Sequence, residues 1–181
     1  MPIVCLPSGC ITSAESVLIT MQSHEEVLGF LANNPPVTSP NHRIPVISIA
    51  PQSLASLSAS LSSSSRTPLT IKQVFRRVEG FCRQVLGFAH VYDTTFARHV
   101  ALLEHSNEFY ERKRSKDSGQ SGLPMLASAC PGWICYAEKT HGEMLPFISR
   151  TKSPQQVMGT LVKNWLGNKW GKTCVSTFDL S

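Results

Sequence analysis

Charge is scarce in this chain. Only 16% of its 181 residues are Asp, Glu, Lys or Arg, against about a quarter in an ordinary domain. No apolar stretch is longer than a handful of residues, which excludes a membrane-spanning helix. Met1 to Cys10 has neither a basic n-region nor a long apolar run, so no secretory signal is expected. There is no phosphate-binding glycine loop, no Gly-x-Ser-x-Gly elbow and no zinc-protease His pair. No internal repeat is visible. The net charge of +5 and pI near 9.0 permit weak attraction to nucleic acid or acidic membranes without establishing it. Neither a specific nucleic acid nor a membrane is therefore expected as a partner.

What is present is a 41% hydrophobic composition, enough to bury a core, and six cysteines. Without an export signal these point to reduced thiols, to metal or cluster ligation, or to plain burial, and away from a disulfide scaffold. Serine is also abundant. Of 23 serines, eight lie between Ser53 and Ser65, a bias that marks a poorly packed loop.

Residues 10–33 read as two short helices, the second opened by a Ser23-x-x-Glu26 capping box and ended by Asn33-Asn34-Pro35-Pro36. Ile44–Ala50 is a β-branched apolar run of strand length, stopped by Pro51. Leu54, Leu57 and Leu61 have helical spacing. Ile71–Leu86 is amphipathic: Ile71, Val74, Phe75, Val78, Phe81, Cys82 and Val85 share one face, and Lys72, Arg76, Arg77 and Arg83 lie away from it. Gly87 suits a helix end. A strand is expected at Phe88–Tyr92, a helix at Phe96–Arg112, a third strand at Leu123–Ala129, a helix opening at Pro131 and a last helix at Ser153–Trp165. Strand and helix alternate, which predicts an α/β fold of βαβ units on a parallel sheet. Ligands in such sheets sit beyond the carboxyl ends of strands. The loops 51–53, 93–95 and 129–133 qualify.

The third loop reads Ser128-Ala129-Cys130-Pro131-Gly132-Trp133. A thiolate at Cys130 would gain from the helix dipole and from free backbone N–H groups. Pro131 gives up no needed hydrogen bond at the first helical position, and Gly132 permits close approach. A ligand and a buried thiol both remain open there. Cys5-Leu6-Pro7-Ser8-Gly9-Cys10 places two cysteines around a turn, which suits cluster or zinc ligation but equally two terminal thiols. Cys82 falls on an apolar helix face, Cys135 packs as a small hydrophobe, and Cys174 has no assignable role. His90, Asp93, His99 and His105 read as structural, and Arg112-Lys113-Arg114 with Lys116 as a solvated helix end.

The run Leu123-Pro124-Met125-Leu126-Ala127-Ser128-Ala129-Cys130-Pro131-Gly132-Trp133 through Gly142 resembles the first cluster-binding segment of the iron-only hydrogenase-like proteins. Within them it is most similar to the cytosolic iron–sulfur assembly factors related to prelamin A recognition factor. Gly9-Cys10-Ile11-Thr12-Ser13, Ala50-Pro51-Gln52-Ser53, Phe96-Ala97-Arg98-His99 and Ser153-Pro154-Gln155-Gln156 extend the likeness from about residue 8 to about residue 172. The resemblance implies the N-terminal part of an iron-only hydrogenase-like fold, preceded by a short ferredoxin-like cysteine segment. It implies two [4Fe–4S] clusters, passed on by thiolate exchange. It also implies partners: a cluster scaffold, a targeting complex of a WD-repeat propeller and a HEAT-repeat adaptor, and cytosolic and nuclear apoproteins. The location implied is the cytoplasm, with the nucleus as a second. Cys130 matches a ligand of the second, buried cluster, and Cys10 a ligand of the first.

The chain also departs from that pattern. Pro7 stands where the family has a cysteine, and Cys5 falls one place from another. After Gly171-Lys172 the family continues into a Met-Pro-Cys motif, whereas this chain reads Thr173-Cys174-Val175-Ser176-Thr177-Phe178-Asp179-Leu180-Ser181. The expected organisation is a cysteine-containing helical segment at 1–40, a partial hydrogenase-like α/β domain at 41–172 and an unrelated tail at 173–181. The departures read as truncation or mis-splicing at both ends. Three functions follow: a non-catalytic cluster-binding assembly factor, a family remnant acting as an interaction domain without a cluster, and a hydrogenase. The resemblance counts against the last, because hydrogenases place a proton-relaying cysteine where this chain has Ala129.

Overall fold

The structure is a computed structural model that describes residues 24–63, 68–116 and 122–171 and the backbone of 176–180. The expected helix within residues 10–22 and the Ser23 cap lie outside the described residues. The chain divides into two compact units, one of Glu25–His99 with Pro154–Ser181 and one of Met1–His24 with Val100–Ser153.

The first unit is built on a three-stranded parallel sheet. Helix α1 (His24–Asn33) ends before a loop that Asn34 pins, its Nδ2 donating to the Arg43 carbonyl at 2.7 Å and its Oδ1 accepting from the Arg43 amide at 3.1 Å. Strand β1 (Pro45–Ile49) follows, and every residue in it is buried. That is why it reads as an unbroken β-branched run: a parallel strand covered on both faces has no polar side to alternate with. Helix α2 (Pro51–Ser63) starts three residues before the leucine spacing begins, with Pro51 in its first turn, where a missing N–H costs nothing. Helix α3 (Ile71–Gln84) is opened by a reciprocal capping box. The Thr70 hydroxyl accepts from the Gln73 amide at 3.3 Å, and Gln73 Oε1 accepts from the Thr70 amide at 2.9 Å. Gly87 takes the left-handed conformation (φ +83°) that turns the chain into strand β2 (His90–Asp93).

The sheet order is β2-β1-β3, both neighbours parallel to β1. β3 is Ser176–Leu180. This strand falls within residues 173–181, read from the sequence as an unrelated tail, and it pairs from Pro45↔Ser176 to Ile49↔Leu180. Alternation along β1 divides the core. Ile47 and Ile49 pack with Leu54, Cys82, Phe88 and Val91, and Val46 packs with Ala97, Met158 and Val162. Cys82 is core, as its helix position predicts, and burial pushes its thiol pKa up. The last expected helix is interrupted: helix α4 (Thr95–Lys116) precedes it in the chain, and Pro154–Thr160 is α-helical before the backbone widens into a π-helical turn at Leu161–Leu166.

In the second unit the expected strand at Leu123–Ala129 does not form. Pro124 has no amide to give to a ladder, and the segment makes one isolated parallel bridge, Leu126↔Ile148. Helix α5 (Pro131–Thr140) follows, then a 3-10 helix at Gly142–Phe147. The loop 129–133 thus opens a helix as expected, without following a strand of the sheet.

Candidate functional site

Cys130 is the N-cap residue of α5, in extended conformation (φ −85°, ψ 111°), and its side chain makes no capping hydrogen bond. The residue is exposed. Its own amide donates to the Ser128 hydroxyl at 3.0 Å. Pro131 stands in the first turn, and Gly132 behind it is buried. The result is an uncommitted thiol at the positive end of a ten-residue helix, where the dipole and the orphan amides of the first turn favour a thiolate and can donate to sulfide. Cys135, five residues and more than one turn on, is half-buried. The far end of α5 is closed by His141, whose amide bonds to the Ala137 carbonyl. The His141 imidazole lies 3.4 Å from the Tyr136 hydroxyl and 3.3 Å from Glu143.

The segments flanking α5 are held by a partly buried ion pair on α4. Arg112 Nη2 and Glu108 Oε1 are 2.6 Å apart, with side chains 12% and 14% exposed. Arg112 also donates to the carbonyls of Gly122, Pro146, Phe147 and Ile148. Glu108 accepts from the Ser149 hydroxyl at 2.5 Å, from the amides of Arg150 and Thr151 and from the Thr151 hydroxyl. Burial by itself would raise the Glu108 pKa. The hydrogen bonds from Ser149, Arg150, Arg112 and Thr151 outweigh it and hold the carboxyl at about 2. Arg112 is therefore not part of a solvated helix end, although Lys113 and Arg114 beside it are exposed as expected. The i, i+4 spacing of Glu108 and Arg112 was the available signal. Their backbone partners, up to 43 residues away, left none.

The other cysteines and the histidine and aspartate residues noted in the sequence are placed as follows. Cys5, Cys10 and Cys174 lie outside the described residues. His105 Nδ1 donates to the Ala101 carbonyl at 2.6 Å, and Asp93 accepts from the Thr95 amide at the start of α4. His90 stacks on Trp170, ring centroids 4.4 Å apart; burial, helped by Arg83, lowers its pKa. Each of these three is used structurally. Among the described residues, no group of three or more His, Cys, Asp or Glu is arranged to hold a metal ion. Cys130 therefore fits a cluster as one thiolate, and the described residues do not complete a ligand set. A groove of about 600 Å³ lined by Glu25, Glu26, Asn33 and Arg43 contains none of the described cysteines.

Residues 43–178 match the family model described as the iron only hydrogenase large subunit, C-terminal domain. The cytosolic Fe-S cluster assembly factor NAR1 of Cryptococcus neoformans is 51% identical over 170 residues, covering 90% of this chain and 26% of the relative. The cytosolic Fe-S cluster assembly factor narfl of Danio rerio is 51% identical over 165 residues, covering 91% and 38%. Cytosolic iron-sulfur assembly component 3 of Rattus norvegicus is 48% identical, covering 90% and 33%. This chain thus spans between about a quarter and two-fifths of the length of these relatives. Among solved structures, an [FeFe]-hydrogenase HydA1 variant from Chlamydomonas reinhardtii superposes with a TM-score of 0.65 at 28% identity, over 86% of this chain and 36% of that one. The parallel sheet and the match across most of the sequence agree, and the chain belongs to the family of the iron-only hydrogenase large subunit, C-terminal domain.

Proposed function

We propose that this chain binds iron–sulfur clusters of the [4Fe–4S] type and takes part, without catalysing a reaction, in delivering them to cytosolic and nuclear apoproteins. The single observation that carries the reading is the exposed, uncommitted Cys130 thiol at the N-terminus of α5. In this reading Cys130 is a ligand of one cluster. Cys10, with Cys5 beside it, serves the other, as the resemblance implies. Relatives about 50% identical are named as cytosolic assembly factors, which supports the cytoplasmic role. The nuclear location, the scaffold and the targeting complex of propeller and HEAT-repeat adaptor belong to the same proposal, and pull-down of that complex tests them. Hydrogenase activity is not expected, because Ala129 stands where hydrogenases place a relay cysteine; hydrogen evolution with a strong reductant checks this.

A second reading, an interaction domain without a cluster, draws on the lack of a three-residue metal group among the described residues. Anaerobic reconstitution with iron and sulfide separates the two. The assembly reading expects visible absorbance and bound iron, with Cys130→Ala lowering the iron. A colourless, iron-free protein overturns it, and unchanged iron in Cys130→Ala removes Cys130 as the ligand.

A further inference from the structure

We infer that the partly buried Glu108–Arg112 pair is a positioning device for the Cys130 thiol, fixing both ends of the chain excursion that carries it. The inference rests on the reading of Cys130 as a cluster ligand. The excursion leaves at Leu126 and returns at Ile148. Its two ends are joined by the Leu126 amide donating to the Phe147 carbonyl at 2.8 Å and the Ser149 amide donating to the Leu126 carbonyl at 2.7 Å. These returning residues are the ones the pair grasps: Arg112 takes the carbonyls of Phe147 and Ile148, and Glu108 takes the Ser149 hydroxyl and the amides of Arg150 and Thr151. Arg112 also holds the outgoing side at the Gly122 carbonyl, 2.9 Å away. There a Cβ would come within 3.3 Å of Arg112 Nη1, so glycine lets the guanidinium lie against the backbone.

A planar fork suits this task. One guanidinium reaches several carbonyls at once while staying paired to a carboxylate, and a lysine ammonium lacks that geometry. Only three residues separate Leu126 from Cys130, so any slack at the bridge is passed directly to the thiol. Groups that orient a ligand in this way commonly change metal affinity when removed.

The test uses the 181-residue chain with Arg112→Lys, Glu108→Gln and the double variant, and Ile47→Val in the sheet unit as a destabilised control. After anaerobic reconstitution with iron and sulfide, each single variant is expected to lose iron to a chelator about tenfold faster. The paramagnetic resonance signal of the reduced cluster should change shape in both and stay unchanged in Ile47→Val. The double variant should be no faster than either single one, because both substitutions disable one device. Iron loss and signal matching the unsubstituted chain overturn the inference. Hydrogen exchange on the metal-free proteins decides independently. Arg112→Lys should strip protection from the Leu126, Ser149 and Cys130 amides while those of Val46–Ile49 keep theirs. Unchanged protection around Cys130, or equal loss in β1, overturns the inference whether or not iron binds. A chain that holds no iron but loses protection only around Cys130 sinks the cluster reading and sustains the positioning of the thiol.

Discussion

Glu108 shows how a residue's environment sets its chemistry. Its carboxyl sits well below the usual 4.5, at about 2, so the folded state prefers the charged form. A depressed folded-state pKa contributes stability that is present above the unfolded value and lost as pH falls through the folded one. Here that window runs from about 4.5 down to about 2. The urea midpoint of the chain should fall across this window, and Glu108→Gln should flatten part of that slope. Parallel pH profiles for the two proteins would refute the assignment. At the same scale the cysteines separate by position. Cys82 lies on the apolar stripe of an amphipathic helix and was legible as core, and Cys130 stands before a proline at a helix start and was legible as an N-cap. Arg112 was not legible, because a run of Arg-Lys-Arg on a helix looks solvated until the carbonyls that face one member of it are known.

At the scale of elements, hydrophobic period and punctuation located most helices. α3 is the clearest, with Val74 and Cys82 buried on one side and Gly87 past its end. Its capping box uses Gln73 rather than Glu, and the Thr70 hydroxyl supplies the acceptor. Replacing Thr70 by Ala should cost about 1 kcal/mol in urea unfolding. A change within error would mean that the Gln73 side chain satisfies the turn unaided. Two features of the elements were not legible. The π-helical turn at Leu161–Leu166 keeps the apolar spacing of an ordinary helix. The segment Leu123–Ala129 has strand composition, yet Pro124 and the lack of a ladder partner leave it a single bridge.

For the whole molecule, the central question is what covers β1. Its two faces are buried in separate clusters, and its two edges are taken by β2 and β3. A chain shortened to end at Lys172 removes β3 and leaves the backbone groups of Pro45–Ile49 open along one edge. An open apolar edge strand invites pairing with another molecule. The shortened chain should therefore unfold at lower temperature and aggregate at concentrations where the full chain does not. An unchanged melting temperature would count against β3 as a structural strand.

By itself the sequence determined the α/β class, the placement of most helices, the core position of Cys82, and two strands to within one or two residues, read as Ile44–Ala50 and Phe88–Tyr92 and found at Pro45–Ile49 and His90–Asp93. These depend on side-chain periodicity, on proline and glycine, and on helix-end chemistry, all of which act within a few residues. Only the tertiary structure decided that Ser176–Leu180 completes the sheet beside Pro45–Ile49 and that Arg112 is held against a carboxylate and a row of carbonyls. Parallel pairing and side-chain hydrogen bonds to backbone join partners far apart in the chain. For Arg112 and Ile148 the separation is 36 residues, and no local pattern records which distant backbone will close on a charge.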